Sequence, residues 1–169
     1  VLPFWDRSID VIMVTHPDSD HISGMIDVLR RFNVGQVLIT PTVKKSPIVS
    51  SFEREVKHQK VRLRYFLEDS TLSTDDGLKL TGIWPLKSQK AWDIESLNEL
   101  SQVCLLQYNQ FNGLLTGDIN TSTAEDINRH SRFPDIDFLK VPHHGSKFGL
   151  SPNNLKMLTP LVSTISVGS

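Results

Sequence analysis

Residues 11–21 read VIMVTHPDSDH. Four apolar residues run directly into two histidines and two aspartates. The stretch decides the fold, because "DVIMVT" is the pattern of a short buried strand and "DHISGMIDVLRRF" behind it repeats Ile22, Met25, Ile26 and Leu29 at helical spacing. A strand, a polar loop and a helix follow in that order. The unit then recurs: "QVLIT" predicts a strand, Pro41 a break, and "SPIVSSFEREVKHQK" a helix with Ser46 as N-cap and Pro47 at its first position, before the strand "VRLRYF". After the polar turn "STDDG" the chain becomes strand-rich, with "LKLTGIWP", "QVCLLQY" and "GLLTG" as strands and "YNQFNG" as a hairpin turn. The remainder predicts a helix over "TSTAEDINRHS" capped by Thr121 or Ser122, a strand at "DFLKVP", a loop "HHGSKFG", a helix near "SPNNLKML" and a last strand at "LVSTISV". Alternating strands and helices with a strand-rich middle imply a mixed α/β layered domain.

At 169 residues the chain has the length of one domain, 1–169. Its 22% charged and 38% hydrophobic residues are ordinary for a globular protein and too polar for a membrane-spanning one. No apolar run approaches the roughly 18 residues of a membrane span, and the N-terminus lacks the pattern of a signal peptide. The single cysteine, Cys104, excludes an internal disulfide and reads as a small buried hydrophobe. A net charge of −1 gives no general attraction to nucleic acid, so a polyanion would have to be held locally.

Chemistry concentrates at three strand ends: "THPDSDH", "TGD" after "GLL", and "PHHGS" after "FLKV". In layered α/β folds the carboxyl ends of strands carry sites, so one edge could collect His16, Asp18, Asp20, His21, Asp118, His143 and His144. In an extended segment His16, Asp18 and Asp20 project to one side, with His21 able to swing back toward them. Imidazole and carboxylate are the ligands of divalent first-row metals, and a carboxylate such as Asp118 can bridge two ions. Asp118 read alone is equally a turn aspartate capping the next helix. His58, inside "FEREVKHQK", reads as a solvated surface residue. Lys140 and Ser146 could reach a phosphate. Lys57, Lys60, Arg62 and Arg64 form a basic patch that reads first as a solvated face. Phe148 could stack on a base or, the plainer reading, close the core.

The stretches "THPDSDHISG", "LLTGDI" and "LKVPHHGS" resemble the metallo-β-lactamase superfamily, and within it the hydrolase domain at the C-terminus of ComEC-type DNA-uptake (competence) proteins. This resemblance implies an αββα sandwich with a two-metal site at one edge. It puts His16 and Asp18 on the first metal, Asp20 and His21 on the second, Asp118 between them as bridge, and one of His143 and His144 in the second site. Asp18 stands where the superfamily usually has a second histidine, and no histidine lies between His58 and Asp118. The harder ligand set favours manganese, with zinc or magnesium as alternatives. By the same resemblance the domain is incomplete at both ends, lacking the usual opening hairpin motif and a closing segment.

The implied function is metal-dependent phosphodiester hydrolysis, a nuclease acting on single-stranded DNA and degrading the strand not imported during DNA uptake. Asp20, Asp118 and Lys140 would be catalytic, and Lys140 and Ser146 would bind substrate. The partner would be the membrane channel of the same polypeptide, with the domain outside the bacterial inner membrane. Two other readings share the residues: a non-catalytic module guiding DNA to the channel, and a related lactone or phosphorylcholine ester hydrolase.

Overall fold

The computed structural model describes residues 3, 5–42, 46–88 and 96–167. Two sheets form. The first is parallel, in the order β1 (Ser8–Val14), β2 (Asn33–Ile39), β3 (Arg62–Tyr65). Its crossovers are helices α1 (Ser19–Arg31) and α2 (Pro47–His58). The second sheet is sequential: β4 (Thr71–Ser73), β5 (Lys79–Trp84), β6 (Val103–Tyr108), β7 (Phe111–Leu115), β8 (Phe138–Lys140) and β9 (Val162–Thr164). Strands β4 to β7 run antiparallel, whereas β7, β8 and β9 are parallel and are joined through α3 (Thr121–His130) and α4 (Pro152–Leu158).

Side chains alternate across a strand, and here the alternation sorts the core into layers. In β1, Ile12 and Val14 face α1 and α2 with Ile22, Ile26, Leu29, Val49, Phe52 and Val56. Val11 and Met13 face the other way, toward Leu80, Cys104, Leu106 and Leu115 of the second sheet. In β6, Val103 and Leu105 join Ile127 of α3 and Leu158 of α4, while Cys104 and Leu106 turn inward. Helices, sheet, sheet, helices is the αββα sandwich that the resemblance implied. Cys104 is fully buried between the sheets, and burial pushes its thiol pKa up to about 12.

The Ser46 hydroxyl caps α2 by accepting from the Val49 N–H at 3.3 Å, and Tyr108 pairs with Phe111 across the expected hairpin turn. Three expectations need correction. Helix α1 begins at Ser19, so Asp20 sits in its first turn with His21 rather than in an extended segment with His16 and Asp18. The cap of α3 is Asn120, whose side chain accepts from the Thr123 N–H at 2.9 Å. "NTST" offers several capping residues of similar strength in a row, and Thr121 is diverted, its hydroxyl donating to the Phe148 carbonyl. Phe148 itself is 63% exposed and does not close the core.

Candidate metal centre

Strand β1 ends at Val14 and α1 starts at Ser19, so His16, Asp18, Asp20 and His21 are delivered by one strand-to-helix turn. Asp118 follows β7, and His143 and His144 follow β8 in a short 3₁₀ turn. Thr116 donates its hydroxyl to the Lys140 carbonyl, which ties the ends of β7 and β8 together. Among the described residues, two groups of donor atoms lie within 4.8 Å of one another: His16, His21 and Asp118, and Asp20, His21 and His144. His21 belongs to both. His21 Nε2 and His144 Nε2 lie 3.1 and 3.0 Å from Asp118 Oδ2. Asp20 Oδ2 is 3.5 Å from His21 Nε2 and 3.9 Å from His144 Nε2. Asp18 is 3.7 Å from His16 Nε2 and falls in neither group.

The two candidate histidines of the "PHHGS" loop part company. His144 reaches the cluster, while His143 joins neither group and keeps a buried Nδ1 without a hydrogen-bond partner. Lys140 is neither idle nor extended into solvent: its Nζ donates to the Gly117 carbonyl at 2.8 Å and to Asp118 Oδ1 at 3.2 Å. The Ser146 hydroxyl accepts from the Phe148 N–H at 3.3 Å. His58 is exposed on α2, as expected.

A supporting layer escaped the sequence reading. Ser101, fully buried just before β6, accepts from the Asp118 N–H at 3.0 Å and places its Oγ 3.1 Å from His16 Nδ1. Thr15 Oγ1 lies 3.2 Å from the same ring nitrogen. His144 donates Nδ1–H to the Ser166 carbonyl at 2.7 Å. In both rings Nδ1 is engaged by the scaffold and Nε2 is turned toward the acids, which is how protein scaffolds orient metal-binding imidazoles. Gly117 permits the close fit: its φ is +53°, and a Cβ there would meet Ser101 Cβ at 2.8 Å. No local signal marks Ser101 for this role, since 85 residues separate it from His16. The neighbouring Gln102 is also buried, with Oε1 unpartnered, and a buried acceptor left unpaired costs about 1–3 kcal/mol.

Electrostatically the cluster holds surplus negative charge, with three aspartates against one ammonium. Burial of Asp118 would raise its pKa, but the hydrogen bond from His21 and the Lys140 charge prevail and hold it well below the carboxylate range. The Asp118 hydrogen bond raises His21 against the opposing effect of burial. His16 is lowered to about 4, first by burial and then by repulsion from His21. A buried neutral imidazole, an Asp118 carboxylate kept ionised and a charge surplus together fit divalent cations.

These shifts set a pH response for the metal-free protein. The unfolded chain protonates His16 below about pH 6.5 while the native state does so only near 4, so the unfolded state binds more protons in between. Stability is therefore lost as pH falls across that window, by up to about 3 kcal/mol. His21, with a raised value, is protonated in both states there and adds little slope. Urea midpoints of chelated protein from pH 6.5 to 4 should fall, and His16→Gln should flatten the fall; an unchanged slope in the variant would contradict a buried neutral His16.

Residues 6–86 match the family described as the Metallo-beta-lactamase superfamily. The chain is 29% identical over 169 residues to ComE operon protein 3 of Bacillus subtilis (strain 168), covering 96% of this chain and 20% of that protein. It thus spans about a fifth of its relative's length. Two solved structures share the fold. CmlA, a diiron beta-hydroxylase from Streptomyces venezuelae, superposes with a TM-score of 0.54 at 17% identity, over 83% of this chain and 26% of that one. A protein from Parabacteroides distasonis described as a candidate metal-dependent hydrolase gives 0.56 at 12% identity, over 94% and 66%.

Proposed function

We propose that this chain, whose fold is that of the metallo-β-lactamase superfamily, is a two-metal phosphodiesterase acting on single-stranded DNA during DNA uptake. The observation that carries the reading is the convergence of His16, His21, Asp118, Asp20 and His144 from three strand ends with Nε2 atoms and carboxylates facing one another. The similarity to a competence-operon protein supports DNA as the substrate. In the same reading, which here follows the resemblance to competence proteins alone, the domain sits beside a membrane channel of the same polypeptide, outside the bacterial inner membrane. Among the described residues no helix is long and apolar enough to cross a membrane.

In this reading His16, Asp18 and Asp118 would hold one divalent ion and Asp20, His21 and His144 the other, with the two oxygens of Asp118 allowing it to serve both. Bound there, such ions supply Lewis-acid activation of water and neutralise phosphate charge. The chain's own groups do the positioning. Ser101 and Thr15 hold the His16 ring, and the Ser166 carbonyl holds that of His144. Lys140, anchored by Gly117 and Asp118, presents its remaining N–H to a phosphate oxygen as negative charge grows there. Asp20, with its side chain 67% exposed, is placed to take a proton from the attacking water. Ser146 lies in the same loop as His144 and serves the phosphate in this scheme.

The test uses the intact protein. Manganese should support loss of single-stranded DNA and chelation should abolish it. Because oxygen donors are abundant in the cluster, manganese should also raise the melting temperature more than zinc at equal free concentration, by roughly 5–10 °C at about 100 times its Kd. DNA bound but not cut in manganese would replace the enzyme by a DNA-guiding module.

A further inference from the structure

The loop behind His144 holds an aromatic ring in the open. Phe148 is 63% exposed, yet its backbone is tied at both ends. Its N–H donates to Ser146 Oγ at 3.3 Å. Its carbonyl accepts twice from Thr121, from the N–H at 2.7 Å and from the hydroxyl at 2.9 Å. The next residue, Gly149, donates its N–H to the Ser146 carbonyl at 2.9 Å and packs so closely that a Cβ there would meet the Pro142 carbonyl oxygen at 3.0 Å. A lone exposed apolar side chain is ordinary, but this one rides on backbone whose place is set. That place is beside the metal cluster. Phe148 stands four positions after His144, Thr121 stands three after Asp118, and His144 and Asp118 meet at 3.0 Å. Four residues of chain span at most about 14 Å even when extended. The two faces of the ring differ: Lys147 sets its Nζ 5.0 Å from the centroid, and among the described residues no other ring or cation contacts Phe148.

We propose that Phe148 is a stacking platform for a base of single-stranded DNA next to the scissile phosphate, with Lys147 meeting the backbone phosphate beside that base. The inference rests on the nuclease reading above. A planar base laid on the open face covers apolar surface on both rings. Every base offers such a face, so the platform grips a strand without reading its sequence. It does select unpaired strands, because bases inside a duplex are already stacked on one another and must be pulled out at a cost to reach a ring. Lys147 supplies the charge that stacking lacks. Its ammonium, already at the edge of the platform, lies where the phosphate of a stacked nucleotide would pass. Tying the loop to both Thr121 and Ser146 fixes the base relative to His144 and Asp118, so that a strand gripped here presents its next phosphate to the cluster.

The experiment measures, by fluorescence anisotropy at low salt, binding of labelled oligodeoxyadenylate and of an abasic strand of equal length and charge to the intact protein stripped of metal by chelation. The wild type should hold the base-bearing strand about tenfold more tightly. Phe148→Ala should bring the two strands within about twofold of each other, and so should Phe148→Leu, which keeps apolar bulk without the ring, whereas Phe148→Trp should keep the gap. Because the side chain is exposed, all three variants should retain the far-UV dichroism of the wild type. A wild-type ratio near one overturns the platform, as does a tenfold ratio that survives in Phe148→Ala or in Phe148→Leu. Lys147→Gln should lower the slope of log affinity against log salt by about 0.7, the share of one phosphate on a single strand; an unchanged slope takes the lysine off the phosphate. Cleavage is scored separately. Wild-type cleavage in manganese with equal affinity for the two strands would overturn the platform and leave the nuclease standing. A ratio that depends on Phe148, without cleavage, would do the reverse.

Discussion

Asp118→Asn should lower hydrolysis of single-stranded DNA by more than about 100-fold, since even groups that only support a metal ligand are worth about 10–100-fold. The argument is electrostatic. Two divalent ions repel one another, and an anionic carboxylate between them lets both sit close. Asp118 is suited to that task because His21 and His144 meet its Oδ2 while Lys140 holds Oδ1, and it stays ionised at any working pH. Asparagine conserves volume but not charge. A helix-capping role would predict the opposite result, because the two residues cap with similar strength, and that role is already filled: Asn120 caps α3. The variant should keep its far-UV dichroism. Wild-type rates in manganese, measured on the intact protein, would remove the two-metal mechanism.

The second large effect is at His21. Among the described residues it is the one common to both donor groups, but its Nε2 has a single lone pair and serves one ion, so His21→Gln should cost one of the two. Bound manganese per chain, measured after gel filtration, should fall from about two toward one, and metal should raise the melting temperature less than in the wild type. Asp18→Asn is the internal comparison. Asp18 lies outside both groups, and its loss should reduce affinity while leaving measurable binding. If His21→Gln retains as much manganese as Asp18→Asn, the assignment of His21 as a ligand is wrong.

The mixed α/β layering and the meeting of the three clusters were legible because each depends on short-range pattern, while the αββα sandwich itself came from the resemblance. Strand ends followed by ligand-type residues need only a fold that gathers strand ends, and the period-2 faces of β1 and β6 are visible in VIMV and VCLL. What escaped depends on long-range geometry or on local ties. Ser101 is joined to His16 across 85 residues. Lys140 meets Asp118 only because β7 and β8 pair in register. Asp20 was read as extended because Asp18, Ser19 and Asp20 are all credible caps, and Asp18, which holds the position, makes no side-chain cap bond. The preference of His144 over His143 for the cluster is set by backbone conformation and the Ser166 carbonyl, neither of which is written in "HHG".

Each flank of the sandwich has its own apolar core, and only a thin central layer glues one to the other. The N-terminal flank brings His16 and His21; the C-terminal flank brings Asp118, Lys140 and His144. Around them run cross-links between the flanks: the Gln102 N–H to the Thr15 carbonyl at 2.8 Å, Ser101 to His16, and His21 to Asp118. The candidate metal centre is consequently also a fastener. Ions held there would couple two half-domains that could otherwise melt separately, sharpening a sloping thermal transition into a single cooperative one. Hydrogen exchange of Val11–Val14 and of Val103–Leu106 should become synchronous once metal is bound.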